Sequence, residues 1–219
     1  MSDYLINTPE DYNKIYQKST NDVEEFWGTL AKDNFKWQKP WNSVLEWDFS
    51  KPEVKWFQGS KLNITENCID RHLENNGDKT AIIFEPNEIN DKSEHISYSD
   101  LHRRVCRMAN VLKDIGVQKG DRICIYLPMI PELAVSVLAC ARIGAVHSVV
   151  FAGFSSSALS TRINDCQCEV VITSDGSFRG NKILNLKEIV DEALKDCPQV
   201  CSVLVAERTK SKIELKLGR

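Results

Sequence analysis

The sequence has no long apolar run and no excess of positive charge. Its 219 residues include 28 Lys and Arg against 31 Asp and Glu, a formal net charge of −3, which argues against a surface built to neutralise nucleic-acid phosphates. The most apolar stretch, residues 129–141, is interrupted by Pro131, Glu132 and Ser136 and falls short of the roughly 20 residues needed to span a bilayer. The first residues also lack the basic-then-apolar pattern of a signal peptide. We therefore expect a soluble, cytoplasmic protein with neither a nucleic-acid nor a membrane partner.

The sequence also lacks the cysteine spacing of a metal site. Of its eight cysteines, Cys166 and Cys168 lie two residues apart, without a second pair at zinc-finger spacing and without a neighbouring group of histidines. The other six lie among apolar residues in predicted helices and strands: Cys68, Cys106, Cys124, Cys140, Cys197 and Cys201. Because cytosolic thiols are kept reduced, we interpret the cysteines as small hydrophobic residues and expect no metal site.

The usual catalytic patterns are missing as well. Neither the glycine-rich phosphate loop of the P-loop enzymes nor that of the dinucleotide-binding folds occurs, and no Ser-His-Asp or Cys-His arrangement can be assembled. His102 is predicted on the polar side of a helix and His147 inside a buried strand, while Asp175 is interpreted as a turn residue. We therefore assign no catalytic residue to this sequence.

Residues 1–60 contain all five tryptophans of the chain. One helix is predicted to begin after Thr8 and another to run through residues 21–34, and an irregular segment is expected after Asn34. Large aromatic rings bury enough surface to offset the ordering of such a segment. We interpret residues 1–60 as an N-terminal arm that packs on a larger domain. Base stacking on these rings is the alternative, but no basic groove accompanies them.

From residue 61 onward, predicted strands alternate with predicted helices. Strands are expected at residues 80–86, 95–99, 121–128, 146–151, 169–174 and 199–207, and helices over 100–115, 131–145, 155–165 and 186–196. Continuously apolar strands in this order are typical of a parallel sheet that is covered on both sides. The predicted fold is α/β, a doubly wound, mainly parallel sheet with helices on both faces, preceded by the aromatic-rich, helical and irregular arm.

Two loops lie at the carboxyl ends of predicted strands, where open α/β sheets bind ligands. In the first, Phe151 is followed by Ala152 and Gly153, whose small side chains let a ligand approach the backbone. Ser155 or Ser156 then caps a helix whose free N–H groups attract anions. An ordinary turn followed by a helix cap is the alternative interpretation.

The second loop, residues 174–183, carries Arg179 and Lys182 with Gly180 and Asn181 between them to form a turn. This pair suits a phosphate group, since arginine offers a planar fork of donors and lysine a mobile charge. A solvated pair of surface cations is the alternative.

Four runs of the sequence resemble the acetate–CoA ligase (acetyl-CoA synthetase) family, part of the adenylate-forming enzyme superfamily. Together they cover essentially the whole chain: VKWFQGSKLN (54–63), LNITENCIDRHL (62–73), YLPMIPELAVSVLACARIGAVHSVVFAGFSSSAL (126–159) and VVITSDGSFRGNKI (170–183). Propionate–CoA ligases look similar in the third run, whereas acetoacetate ligases diverge around ARIGAVHSVVF.

This resemblance implies a reaction and a CoA site. The family joins acetate to ATP as acetyl-adenylate, releases pyrophosphate, and transfers the acetyl group to CoA. The basic residues that match the family's contacts to the CoA 3′-phosphate are Arg179 and Lys182. The small residues along the path of the CoA nucleotide match Ala152 and Gly153, beside Phe151. The family usually has two glycines at the latter positions, so Ala152 is a departure.

The resemblance also implies that the chain is an N-terminal fragment. It places residues 61–219 in the N-terminal α/β subdomain of the large adenylate-forming domain. The ATP-binding loop, the Mg²⁺ and acetate sites and the small C-terminal domain should lie beyond residue 219. We therefore expect ATP, acetate, CoA and the rest of its own chain as partners, and no activity from the 219 residues alone. A propionate–CoA ligase fragment, a non-catalytic nucleotide- or CoA-binding module and a purely structural fragment stay open as alternatives.

Overall fold

The computed structural model describes residues 5–87 and 92–215, and the chain divides after Asn67 into two units. In the first unit, Thr8 and Asp11 form a reciprocal capping box at the start of the first helix. Its helices are α1 (Pro9–Asn21) and α2 (Val23–Asn34), and its strands are β1 (Ser43–Asp48) and β2 (Glu53–Gln58). A short helix, α3 (Ile64–Cys68), runs across the division between the units. The two predicted helices are therefore confirmed.

The irregular segment expected after Asn34 is wrong, because β1 and β2 pair there as an antiparallel hairpin. The hairpin is tied to α2 through Glu24, whose carboxylate accepts the backbone N–H groups of Val44 (3.2 Å) and Leu45 (3.3 Å). Next to it, the rings of Trp37, Trp41 and Phe57 pack with their centres 5.1–5.5 Å apart. The contacts from Glu24 to β1 and from the two tryptophans to Phe57 join residues far apart in sequence, so no local pattern predicts them.

The second unit contains the predicted alternation of strands and helices. Its helices are α4 (Leu73–Asn76), α5 (Tyr98–Asp114), α6 (Pro131–Ile143), α7 (Ser156–Cys166) and α8 (Leu186–Ala193). Its strands are β3 (Thr80–Phe84), β4 (Glu94–Ser97), β5 (Arg122–Tyr126), β6 (Val146–Val149), β7 (Val170–Ser174), β8 (Ser177–Arg179), β9 (Lys182–Leu184) and β10 (Ser202–Ala206). Short 3₁₀ turns occupy Asp70–His72 and Leu194–Asp196.

Four of these strands form a parallel sheet in the order β10-β7-β5-β6. Alternate residues of β5 point to opposite faces, as in any strand. Ile123 and Ile125 join a core with α5 and α6, whereas Cys124 and Tyr126 join a second core with α7 and α8. The prediction of a doubly wound parallel sheet with helices on both faces is confirmed. Two short antiparallel hairpins, β3–β4 and β8–β9, stand beside this sheet.

The helix boundaries follow the predicted signals closely. The N-cap of α5 is Ser97, whose Oγ accepts the N–H of Asp100 at 3.1 Å, rather than Ser99. Of the two candidates for α7, Ser155 is the N-cap and its Oγ accepts the N–H of Ala158 at 3.3 Å. Gly144 ends α6 in the left-handed conformation, with φ of +77°.

Two expectations about burial are wrong. His147 lies in β6, which is an edge strand of the described sheet and is largely exposed, because sheet order cannot be read from a strand's own sequence. Among the cysteines, Cys68 and Cys201 are exposed, whereas Cys124, Cys140, Cys168 and Cys197 are buried. None of the described helices is both long and apolar enough to cross a membrane.

Candidate functional site

A cavity of about 470 Å³ opens at the carboxyl ends of β5 and β6. Its walls come from the segments that follow these strands, from the β8–β9 hairpin and from two more distant residues. The lining residues are Asn87, Leu127, Pro128, Met129, Ile130, Leu133, Val149, Val150, Phe151, Ala152, Ser177, Phe178, Arg179, Leu184 and Arg208. The site is therefore mostly apolar with two arginines, and it lies at the sheet edge where this class of fold binds ligands.

The bend after β6 requires glycine at position 153. Gly153 has φ of +148°, which side-chain-bearing residues rarely adopt, and an added Cβ would lie 3.1 Å from Cε1 of Phe151. Ala152 and the exposed ring of Phe151 line the cavity. The predicted small-residue bend is thus present, and it leaves the backbone accessible between an alanine and a glycine.

Tyr126, the last residue of β5, holds this bend through hydrogen bonds of its hydroxyl group. Its ring is fully buried, its hydroxyl donates to the carbonyl of Phe154 (2.7 Å), and the N–H of Gly153 donates to that hydroxyl (3.2 Å). Burial raises the pKa of Tyr126, and the hydrogen bond from Gly153 acts in the opposite direction. The neutral hydroxyl can therefore serve as donor and acceptor at once.

The predicted loop with two cations is a hairpin in the structure. Arg179 of β8 pairs directly with Lys182 of β9, and Gly180 turns between them with φ of +55°. Residues directly opposite in an antiparallel pair share one face, so the hairpin brings both cations to the same side. Both are exposed, and within the described residues neither forms an ion pair with a carboxylate.

Asp175 anchors the segment in front of this hairpin. Its buried carboxylate accepts backbone N–H groups from Gly176 and Arg208, both at 2.7 Å, and from Thr209 and Ser211 at 3.0 Å. Burial raises the pKa of Asp175, but the hydrogen bonds from these backbone groups outweigh it, and the net effect is a lowered pKa. Asp175 is therefore an ionised structural residue that joins two turns.

Arg208 is the residue of this site that the sequence pattern does not indicate. Its guanidinium carbon lies 5.3 Å from the ring centre of Phe178 and 5.5 Å from that of Phe84, and it lines the cavity. It follows the last strand of the sheet in a polar stretch that shows no periodicity. Only contacts across 30 or more positions of sequence bring it to the hairpin.

The structure therefore gathers most of the predicted site residues at one edge of the sheet. Phe151, Ala152 and Arg179 line the cavity, Gly153 forms the bend beside it, and Lys182 lies opposite Arg179 on the hairpin. Among residues 5–87 and 92–215, no group of three or more His, Cys, Asp or Glu side chains could hold a metal ion. The described residues do not fit a Mg²⁺ site, and we assign no step to a metal here.

Comparison with known proteins assigns the chain to a family. A family model described as "AMP-binding enzyme" matches residues 69–217, about two thirds of the chain. The chain belongs to the AMP-binding enzyme family. A second model, described as "Acetyl-coenzyme A synthetase N-terminus", matches residues 12–68. The two matches adjoin one another within two residues of the boundary after Asn67.

The relatives of this AMP-binding family member include several acetyl-coenzyme A synthetases that are about equally similar to this chain in sequence. Acetyl-coenzyme A synthetase 2 of Pseudomonas aeruginosa is 53% identical over 210 residues, which are 96% of this chain and 32% of that protein. Acetyl-coenzyme A synthetase of Alkalilimnicola ehrlichii is 52% identical over 212 residues, 97% of this chain and 33% of that protein. The predicted resemblance to acetyl-CoA synthetases is confirmed, and the chain spans about a third of the length of these relatives.

A solved structure supports the fold of this family member. Acetoacetyl-CoA synthetase from Streptomyces lividans superimposes with a TM-score of 0.86 and 24% sequence identity, covering 98% of this chain and 32% of that one. At this identity the likeness establishes the fold alone. The expected adenylate-forming α/β architecture is therefore confirmed for the described part of the chain.

Proposed function

We propose that this chain supplies part of the CoA site of an AMP-forming acetate–CoA ligase. In that reaction acetate and ATP give acetyl-adenylate and pyrophosphate, and the acetyl group then passes to CoA with release of AMP. The observation that carries the proposal is the β8–β9 hairpin, which presents Arg179 and Lys182 on one face beside a mostly apolar cavity. Acetate, ATP, CoA and the rest of its own chain are the proposed partners, and the cytoplasm is the proposed location.

In this proposal the hairpin binds the 3′-phosphate of CoA. The guanidinium of Arg179 can donate two parallel hydrogen bonds to a phosphate, and the ammonium of Lys182 adds a second positive charge. Neither cation has a carboxylate partner among the described residues, so a bound phosphate need not displace an existing ion pair. Because both side chains are exposed and screened by salt, each contact contributes no more than the lower end of the ~1.5–3 kcal/mol that hydrogen bonds to charged groups provide.

The bend after β6 is proposed to carry the remainder of the CoA nucleotide. Ala152 lines the cavity, Gly153 follows it in the bend, and Phe151 offers an exposed ring beside them. Apolar walls with a few placed charges suit a ligand that combines a flat base with phosphate groups. Ala152 carries one methyl group where the family usually has a glycine, and it packs partly against the core. ATP and Mg²⁺ are proposed for the longer protein, at sites outside these residues.

The test compares CoA with dephospho-CoA, which lacks only the 3′-phosphate. Isothermal titration calorimetry should show that the 219-residue chain binds CoA about tenfold more tightly, a difference of about 1.4 kcal/mol. Arg179→Ala should remove most of this preference and leave binding of dephospho-CoA nearly unchanged. Arg103→Ala is the matched control, since it removes an exposed arginine from α5, where Arg103 pairs with Asp100. Equal affinity of the unmodified chain for both ligands would refute the phosphate assignment.

A non-catalytic module that binds CoA is the second candidate function. It is favoured by one observation: the cavity and both cations lie within the 219 residues, whereas the described residues contain no group that could hold a metal. A CoA preference without any turnover is expected under both candidates for the 219 residues. Joining them to the remaining two thirds of a relative's chain separates the two, because only the ligase fragment should restore formation of acetyl-CoA.

A further inference from the structure

Within the described residues, the β8–β9 hairpin forms no strand pairing with the main sheet. Each of its strands has three residues, and in the described chain they pair only with each other. An isolated two-stranded hairpin is marginally stable at best in water. Contacts other than strand pairing must therefore fix the direction in which Arg179 and Lys182 point.

Arg208 packs against the opposite face of this hairpin. Phe178 and Arg179 are consecutive in β8, so their side chains point to opposite faces. The guanidinium of Arg208 lies over the ring of Phe178, 5.3 Å from its centre, and 5.5 Å from the ring centre of Phe84 in β3. Arg208 thus links the hairpin to β3, another element of the same unit.

The backbone that carries Arg208 is itself fixed to the start of the hairpin. Oδ1 of Asp175 accepts the N–H groups of both Gly176 and Arg208 at 2.7 Å. A Cβ added at Gly176 would lie 2.6 Å from Oγ1 of Thr209 and 3.0 Å from the carbonyl oxygen of Leu184. The backbone of Gly176 therefore packs directly against the side chain of Thr209, without room for a side chain at position 176.

We propose that Arg208 is a positioning residue for the anion site of the β8–β9 hairpin. It holds Phe178 in place, and through Phe178 it orients the hairpin so that Arg179 and Lys182 face the 3′-phosphate of CoA. This inference rests on the proposed CoA function. Within residues 5–87 and 92–215 Arg208 forms no ion pair with a carboxylate, and its planar group can stack on an aromatic ring as a lysine ammonium does not.

The ratio of the CoA and dephospho-CoA dissociation constants measures this role. We expect Arg208→Ala to reduce the preference of the 219-residue chain for CoA over dephospho-CoA from about tenfold to about twofold. Arg208→Lys keeps the charge but not the planar stack, and it should lose the preference to a similar extent. Arg103→Ala should retain the full preference.

A double substitution separates positioning from direct contact with the phosphate. If Arg208 acts through the hairpin, Arg208→Ala should change the ratio much less in the Arg179→Ala background than in the parent chain, since residues that act on one another are not additive. An additive loss, or a full preference in Arg208→Ala or Arg208→Lys, would overturn the positioning role. A parent chain without any preference for CoA would instead refute the proposed function on which the role rests.

Folding is checked by far-ultraviolet circular dichroism of each variant. If Arg208→Ala does not fold, Phe178→Leu takes its place, because leucine keeps an apolar side chain at the hairpin and removes the ring beneath the guanidinium. The same loss of CoA preference is expected. A folded Phe178→Leu chain with the full preference would overturn the proposal.

Discussion

At the scale of single residues, Asp175 links folding to pH. Its carboxylate accepts four backbone N–H groups, and its pKa is lowered even though burial acts the other way. A lowered pKa in the folded state means that the ionised form stabilises the fold. This stabilisation is fully present above the unfolded-state pKa of about 3.9 and is lost as the pH falls through the folded-state value.

Asp175→Asn should therefore lower the free energy of unfolding at neutral pH by on the order of 2 kcal/mol, because an amide offers one oxygen where a carboxylate offers two. The variant should also lose part of the decrease in stability that the parent shows below about pH 4. Urea unfolding at several pH values measures both effects. Asp165→Asn, an exposed position on α7, is the control. Parallel curves of stability against pH for Asp175→Asn and the parent would contradict this role.

The residues of the candidate site differ in how far the sequence indicates them. Arg179 and Lys182 are predicted because two cations flank a turn after a buried strand, and Gly153 because a strand stops at small residues. Arg208 could not be predicted, since its role depends on Phe84 and Phe178. A site whose residues are close together in sequence can be predicted from the sequence, whereas a contact between distant segments cannot.

At the scale of elements, local patterns predict the parts of the fold that local forces determine. The amphipathic spacing of α5 and the Pro131 and Gly144 signals of α6 give both helices within a residue or two. Local patterns do not predict the β1–β2 hairpin, because two of its backbone N–H groups donate to the carboxylate of Glu24 in α2, about 20 positions away. Local patterns also do not predict that β6 lies at the edge of the described sheet, because strand order is a property of the whole sheet.

The turn of the β8–β9 hairpin provides a test at this scale. Gly180 has φ of +55°, and an added Cβ would meet no atom within 4 Å, so only backbone strain opposes a larger residue there. Gly180→Asn should be tolerated, because asparagine adopts the left-handed conformation readily, whereas Gly180→Val should disfavour the turn by about 1–2 kcal/mol. Calorimetry should therefore show CoA affinity retained in the first variant and weakened severalfold in the second.

Gly120→Val is the control for this comparison, since Gly120 also has a positive φ (+93°) and open space around it but lies before β5. It should lower thermal stability without changing the ratio of CoA to dephospho-CoA affinity. Equal CoA affinity in the Asn and Val variants of Gly180 would show that the turn does not control the site.

At the scale of the whole molecule, the chain spans about a third of the length of its acetyl-coenzyme A synthetase relatives. The prediction that residues 1–60 pack on the α/β domain stays a prediction. Each of the two units matches its own family model, which agrees with the division after Asn67.

We expect the 219-residue chain to form no acetyl-CoA from acetate, ATP and CoA above a protein-free background. We propose that the ATP-binding loop and the acetate pocket belong to the part of the relatives' length that this chain does not span, so these residues alone supply no preorganised donors for the charge developing on the phosphates. Chromatographic detection of acetyl-CoA measures this, with an intact acetyl-coenzyme A synthetase as the positive control. Turnover above background would contradict the assignment of the catalytic groups to the rest of the chain.

The division after Asn67 has a spectroscopic consequence. All five tryptophans, Trp27, Trp37, Trp41, Trp47 and Trp56, fall in the first unit. Indole emission from the intact chain therefore reports on that unit alone, while far-ultraviolet ellipticity is dominated by the longer second unit. Denaturation curves from the two signals coincide only if both units melt in one cooperative transition.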